Sequence, residues 1–210
     1  LINASKLVGK SMQDLTVVIN GAGAAGIAIA KLLRCVDHID GSVCTPVKEI
    51  ILCDSKGIIH RERQDLNEAK QKALNFTNYS HRKGKLKDAL KGADVFIGVS
   101  MGNLLKSEDI QTMATDSVIF ALANPTPEIM PEEAYKGGAA IVGTGRSDLP
   151  SQVDNVLGFP GIFRGALDAR AKQITLNMKL AAAYAIADSI SNPTKDMIIP
   201  PALDEIVAYK

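Results

Sequence analysis

Short apolar runs and helix-spaced apolar positions take turns along this chain. Residues 15–19, 49–54, 94–100, 117–123 and 139–143 are rich in Val, Ile and Phe and show no apolar–polar alternation. A strand covered on both faces reads this way, so each run predicts a buried strand. Between the runs the spacing changes. Ile27, Ala28, Ile29, Ala30, Leu32 and Leu33 predict a helix with small side chains near its start. Asp65-Leu66-Asn67-Glu68 has the acid-x-x-Glu form of a capping box and predicts a helix through Phe76. Residues 86–90 predict a short helix ending at Gly92. Ser107 is expected to cap the next, with Glu108 and Asp109 in its positive first turn, and residues 131–135 add a turn or two.

The flanks read differently. Leu1, Ile2, Ala4, Ser5, Leu7 and Val8 look like the end of an amphipathic helix stopped by Gly9. Residues 144–161 form a polar, Gly- and Pro-rich loop, long enough to predict either a functional role or disorder. Helices follow over residues 162–171 and 176–190, the second stopped by Asn192-Pro193, and the segment 202–209 is short enough to fray. Strands alternate with helices and no hairpin signal intervenes. The predicted fold class is α/β: a doubly wound parallel sheet with C-terminal helices.

The first run leads into Gly21-Ala22-Gly23-Ala24-Ala25-Gly26, a G-x-G-x-x-G pattern between a strand and a helix. The first glycine makes a tight turn. The second lets a pyrophosphate approach the backbone, and the third lets helix and strand pack closely. Unpaired N–H groups at that helix start favour an anion. This predicts a Rossmann-type dinucleotide site over residues 21–26. Asp54 ends the second run, where an acid accepts hydrogen bonds from the adenosine ribose hydroxyls. Lys56 lies beside it. An acid repels a 2′-phosphate and a lysine attracts one, so NADP stays open; the strand-end position of Asp54 favours NAD. The third run ends in Val99 and Ser100, small enough to pass beneath a nucleotide. The fourth ends at Asn124-Pro125-Thr126-Pro127, where the prolines stop the strand and project the Asn124 amide. Right-handed crossovers place all these strand ends along one edge.

A chain of 210 residues suits one large domain. Residues 1–210 are expected to form one dinucleotide-binding domain, with a core over about 11–145 and C-terminal helices over 161–210. The net charge of +1 gives no reason to expect nucleic acid or an anionic membrane as partner. No apolar run has transmembrane length and no signal peptide opens the chain, which predicts a cytoplasmic protein. Cys35, Cys44 and Cys53 contain no C-x-x-C, so reduced, buried thiols are expected rather than a disulfide or a zinc site. Asp37, His38, Asp40 and Cys44 share a loop but match no ligand spacing, so no metal is expected there. The basic cluster His81-Arg82-Lys83-Gly84-Lys85 reads as a solvated loop.

Five stretches together resemble the malic enzyme family, particularly its shorter bacterial members, and cover nearly the whole chain. They are Val18-Ile19-Asn20-Gly21-Ala22-Gly23-Ala24-Ala25-Gly26, Cys53-Asp54-Ser55-Lys56-Gly57, Ala121-Leu122-Ala123-Asn124-Pro125-Thr126-Pro127-Glu128, Thr144-Gly145-Arg146-Ser147-Asp148 and Phe159-Pro160-Gly161-Ile162-Phe163-Arg164-Gly165. The resemblance implies an oxidoreductase that oxidises malate at C2 and passes hydride to NAD or NADP. It then decarboxylates the oxaloacetate formed, with Mg²⁺ or Mn²⁺ as Lewis acid. It implies that Asn124 binds cofactor and substrate and that Asn155 binds the dicarboxylate. Family members often carry two adjacent asparagines there, whereas this chain has Asp154-Asn155. A carboxylate beside an anionic substrate is unfavourable, so Asp154 is expected to point away. Arg146 could bind a malate carboxylate bidentately or form a loop salt bridge, and the salt bridge is the expected role.

The same resemblance implies that the catalytic tyrosine and lysine and the carboxylate metal ligands lie in a preceding domain. No residue here takes their place. The chain alone is then expected to bind cofactor without catalysing, and the full-length protein to be a homo-oligomer. A start at Leu1, inside a helix, is expected of a piece of something longer. Two other readings use the same residues: the cofactor module of another two-domain dehydrogenase, and a binding module in which the nucleotide regulates assembly.

Overall fold

The five apolar runs become five parallel strands at the centre of the molecule. A computed structural model describes residues 1–37, 44–146, 148–149, 152–153, 155–202, 204 and 207. The expectations for His38, Asp40, Ser147 and Asp154, and most of segment 202–209, lie outside these residues. In chain order the elements are α1 (Ile2–Leu7), β1 (Thr16–Asn20), α2 (Ala24–Leu33), β2 (Glu49–Asp54) and β3 (Gly57–Ile58). Then come α3 (Glu68–Ala73), α4 (Leu86–Leu90), β4 (Val95–Gly98), α5 (Ser107–Ile110) and β5 (Val118–Ala121). The last are α6 (Pro131–Lys136), β6 (Ile141–Thr144), α7 (Phe159–Asp168) and α8 (Leu176–Asp188).

The sheet order is β3-β2-β1-β4-β5-β6. From β1 the chain first builds outward through β2, then returns to add β4 on the other side. Strand order reverses at β1, and a ligand crevice opens at such a point, outside the strand carboxyl ends. Registers run evenly: Ile19 pairs with Leu52 on one side and Ile97 on the other, and Ile97 pairs with Phe120.

Alternate residues of every strand feed two separate cores. Val17, Ile19, Ile50, Leu52, Val95, Ile97 and Phe120 join Ala30 of α2 and Ala73 of α3. Val18, Ile51, Phe96, Ile119 and Val142 join Leu90 of α4, Ile110 of α5 and Ala134 of α6. Because both faces are covered, neither set can be polar, which is why the runs show no alternation. At the N-terminal edge Asp94 accepts the Thr16 N–H at 2.9 Å and pairs with Lys10 at 2.7 Å.

Several local expectations are corrected. There is a hairpin: β3 pairs antiparallel with β2 through Ser55 and Lys56, with Gly57 at φ +119°. Two residues form the turn, so the pairing is too brief for a pattern to betray it. The α3 cap is Asn67, whose side chain accepts the Lys70 N–H at 3.0 Å; Asp65 is taken by cations instead. Ser107 does not cap α5. Its N–H donates to Glu133 of α6 at 3.1 Å, and Asp109 accepts the Lys106 N–H. The helix expected from residue 162 begins at Phe159, with Pro160 tolerated in its first turn because no N–H is needed there. Cys35 and Cys44 form a disulfide, against the expectation of reduced thiols, and only Cys53 is a free, buried thiol. Spacing could not show that the chain leaves α2 and returns to β2 with those Cα atoms 5.9 Å apart.

Candidate dinucleotide-binding site

The turn from β1 into α2 is shaped by what a side chain would strike. A Cβ on Gly21, at φ +124°, would lie 2.6 Å from the Val99 carbonyl oxygen. A Cβ on Gly26 would lie 2.0 Å from the Gly21 carbonyl oxygen, so the helix can meet the strand end only without one. Gly23 differs: a Cβ there meets nothing within 4 Å. It is the residue before α2, and neither a side-chain cap nor a first-turn acid answers the helix's first N–H groups. Those amides and the open space beside Gly23 fit a phosphate group.

A cleft of about 730 Å³ lies in front of this turn. Gly21, Ala22, Gly23, Asp54 and Ser100 line it. Ala24 and Ala25 form the first turn of α2 behind, Gly26 is buried beneath, and Val99 closes on Gly21. Ser100 accepts a hydrogen bond from the Asn20 side chain at 2.8 Å. Asn124 is exposed at the end of β5, beside Gly145, and sits outside the cleft wall. Asn155 is exposed at the start of a single 3-10 turn before α7. Arg146 is engaged by Asp148 at 2.9 Å, the loop salt bridge expected of it.

The Asp54 end of the cleft holds a network that spacing did not disclose. Arg63 grips Asp54 with two bonds of 2.8 and 3.0 Å, and Lys70 reaches the same carboxylate at 2.6 Å. The Lys56 N–H adds a third donor at 2.9 Å. Burial pushes the Asp54 carboxyl up, but the bonds from Arg63, Lys70 and the Lys56 amide outweigh it and hold the group down at about 2. The Lys56 ammonium turns away to Asp65 at 2.9 Å. Lys70 and Lys85 line the cleft, and the Lys85 ammonium donates to the Lys56 carbonyl at 3.2 Å. The predicted solvated cluster thus divides: Lys85 faces the cleft, Lys83 pairs with Glu62, and Arg82 binds the Ala89 and Lys91 carbonyls. Cys53, one residue before Asp54, is pushed up to about 12 by burial, then by the Asp54 charge, and is inert as a nucleophile.

Among the described residues no three His, Cys, Asp or Glu side chains converge as metal ligands. The donor set does not fit Mg²⁺ or Mn²⁺, whose hard oxygen ligands would have to come from elsewhere.

A doubly wound sheet, a glycine turn with a bare helix start and an acid at the next strand end define a Rossmann-type dinucleotide-binding domain. A family model described as "Malic enzyme, NAD binding domain" matches residues 1–209, and the chain belongs to that family. A bifunctional malic/malolactic enzyme of Bacillus subtilis is 54% identical over 99% of this chain and 49% of its own length. The NAD-dependent malic enzyme of Geobacillus stearothermophilus is 46% identical over 100% of this chain and 42% of its own. An NADP-dependent malic enzyme of Halomonas elongata is 43% identical over 95% of this chain and 45% of its own. The crystal structure of an NAD-dependent malic enzyme from Thermotoga maritima superposes with a TM-score of 0.91 at 47% identity, covering 99% of this chain and 53% of that one. The chain therefore spans about half the length of the relatives it matches. No helix among the described residues is long and apolar enough to cross a membrane.

Proposed function

We propose that this chain is the dinucleotide-holding half of a malic enzyme. The whole protein oxidatively decarboxylates malate to pyruvate and CO₂, with NAD or NADP taking the hydride. The observation that carries the reading is the helix start at Gly23, which faces the cleft with no side-chain cap and no first-turn acid. The names of the relatives support malate as the substrate. When bound, the dinucleotide supplies a nicotinamide ring that accepts hydride.

This chain's residues bind and orient. The residues 21–26 turn takes the pyrophosphate, with Val99 packed behind it. Asp54, steadied by Arg63 and Lys70, meets the adenosine ribose. Ser100 and Asn124, at the ends of β4 and β5, face the nicotinamide half. In the same reading Asn124 and Asn155 contact the dicarboxylate. Catalytic acid–base groups and metal ligands belong to the other half of the longer protein, and a cytoplasmic homo-oligomer is part of the same reading. Both cofactors are admitted: Asp54 is already neutralised by two cations, and Lys85 offers an ammonium to a 2′-phosphate.

Calorimetric titration of NAD and NADP into the full-length enzyme and into the 210-residue chain tests this. Both proteins are expected to bind dinucleotide, and only the full-length one to turn over malate with Mn²⁺. Absence of dinucleotide binding in either protein sinks the cofactor reading. Malate turnover by the chain alone sinks the division of labour.

A further inference from the structure

Glu128 is completely enclosed, at the foot of the wall between β4 and β5. Its carboxylate is held by main chain. One oxygen accepts the Ser100 N–H at 3.1 Å and the other accepts the Ala123 N–H at 3.1 Å. Its own carbonyl accepts the Leu104 and Leu105 N–H groups at 2.9 and 3.0 Å. The loop leaving β4 and the end of β5 therefore meet on one residue. The sheet leaves room for it: a Cβ on Gly98 would lie 2.2 Å from the Glu128 carboxyl carbon. Burial pushes this carboxyl up, while the main-chain bonds pull it back. An apolar side chain filling the same space would leave the Ser100 and Ala123 N–H groups without this acceptor, so the acid's role is tied to those two amides.

What the acid does is span. Ser100 carries one of the two anchored amides, and Asn124 follows directly on the other. The pyrophosphate turn lies at β1 and the ribose acid at β2, so the remaining half of a dinucleotide extends over β4 and β5. We propose that Glu128 is a positioning residue whose carboxylate fixes the separation of Ser100 and Asn124 and so shapes the seat of the nicotinamide half. This rests on the cofactor reading above.

The test uses the full-length enzyme and Glu128→Gln. Glutamine keeps the shape but has one acceptor, and its NH₂ group opposes the other main-chain N–H, so one anchor is lost. Dissociation constants are measured for the dinucleotide and for ADP-ribose, which lacks the nicotinamide. The dinucleotide is expected to weaken at least about tenfold, the loss of one charge-assisted hydrogen bond. ADP-ribose is expected to stay within about twofold. Gly98→Ala, which drives a methyl group into the carboxylate, is expected to produce the same split. In the unmodified enzyme the Ser100 and Ala123 amides are expected to exchange hydrogen slowly. Equal weakening of both ligands marks Glu128 as merely structural and overturns the proposal, as does no change in either. Fast exchange of both amides in the unmodified enzyme overturns it even if neither variant folds. If the unmodified enzyme fails to bind ADP-ribose, the cofactor reading itself falls, and this proposal with it.

Discussion

Around the proposed adenosine ribose position, Lys56, Arg63, Lys70 and Lys85 outnumber Asp54 and Asp65. Asp54 no longer acts as a free anion, because Arg63 and Lys70 share its charge. Lys85 lines the cleft and has a carbonyl for its partner, so it remains available to an incoming phosphate. Lys85→Glu should weaken NADP by about tenfold or more and NAD by much less, read as two dissociation constants. Equal weakening of both cofactors would place Lys85 at the pyrophosphate and defeat the argument. Asp54 also makes a pH prediction. Its folded carboxyl is held at about 2 against an ordinary value of 3.8. The unfolded chain therefore binds the proton first as acid is added. The stability from this group is complete above about pH 4 and is lost as pH falls through about 2. Asp54→Asn should flatten that part of the acid denaturation curve, and an unchanged acid slope would show that the network does not hold in solution.

The turn into α2 separates packing from binding within six residues. Gly26→Ala sets a methyl group against the Gly21 carbonyl and should destabilise the fold by about 1–3 kcal/mol while abolishing cofactor binding. Gly23→Ala meets nothing in the protein and should leave stability within about 0.5 kcal/mol, yet weaken dinucleotide by occupying the phosphate's approach. If the two variants lose stability equally, Gly23 has a folding role that the space around it does not reveal. The strands and this turn were legible in the sequence because each is local: buried parallel strands need unbroken apolar runs, and the turn needs glycines at fixed intervals. What was illegible depends on distant partners. Nothing local marks Arg63 and Lys70, which meet Asp54 only once β2, β3 and α3 are in place, and Lys85 read as part of a solvated cluster. The Cys35–Cys44 bond belongs with them, since its formation depends on how α2 ends and β2 begins. Thiol titration of the unfolded, unreduced chain should find Cys53 alone, and three reactive thiols would refute the bond.

At the scale of the whole molecule, the reversal of strand order at β1 turns separate strand ends into one receptor. On the proposed reading a dinucleotide lying across it touches the ends of β2, β1, β4 and β5, so it joins the two halves of the sheet. Ligand that binds only the folded state must raise its stability by mass action, by about 2.7 kcal/mol at a hundred times the dissociation constant. The 210-residue chain should therefore show a clear upward shift in melting temperature with NAD or NADP. Malate and Mn²⁺ should behave differently. No metal-ligand cluster exists among the described residues, and Arg146 is already engaged by Asp148, so neither a metal seat nor a free Arg146 is found among them. In the isolated chain, malate with Mn²⁺ should leave the melting temperature unmoved, both alone and on top of saturating cofactor. In the full-length enzyme the same addition should raise it further. A malate-dependent shift in the isolated chain would mean that Asn124 and Asn155 suffice to hold the dicarboxylate, and that the boundary between cofactor half and substrate half is drawn in the wrong place.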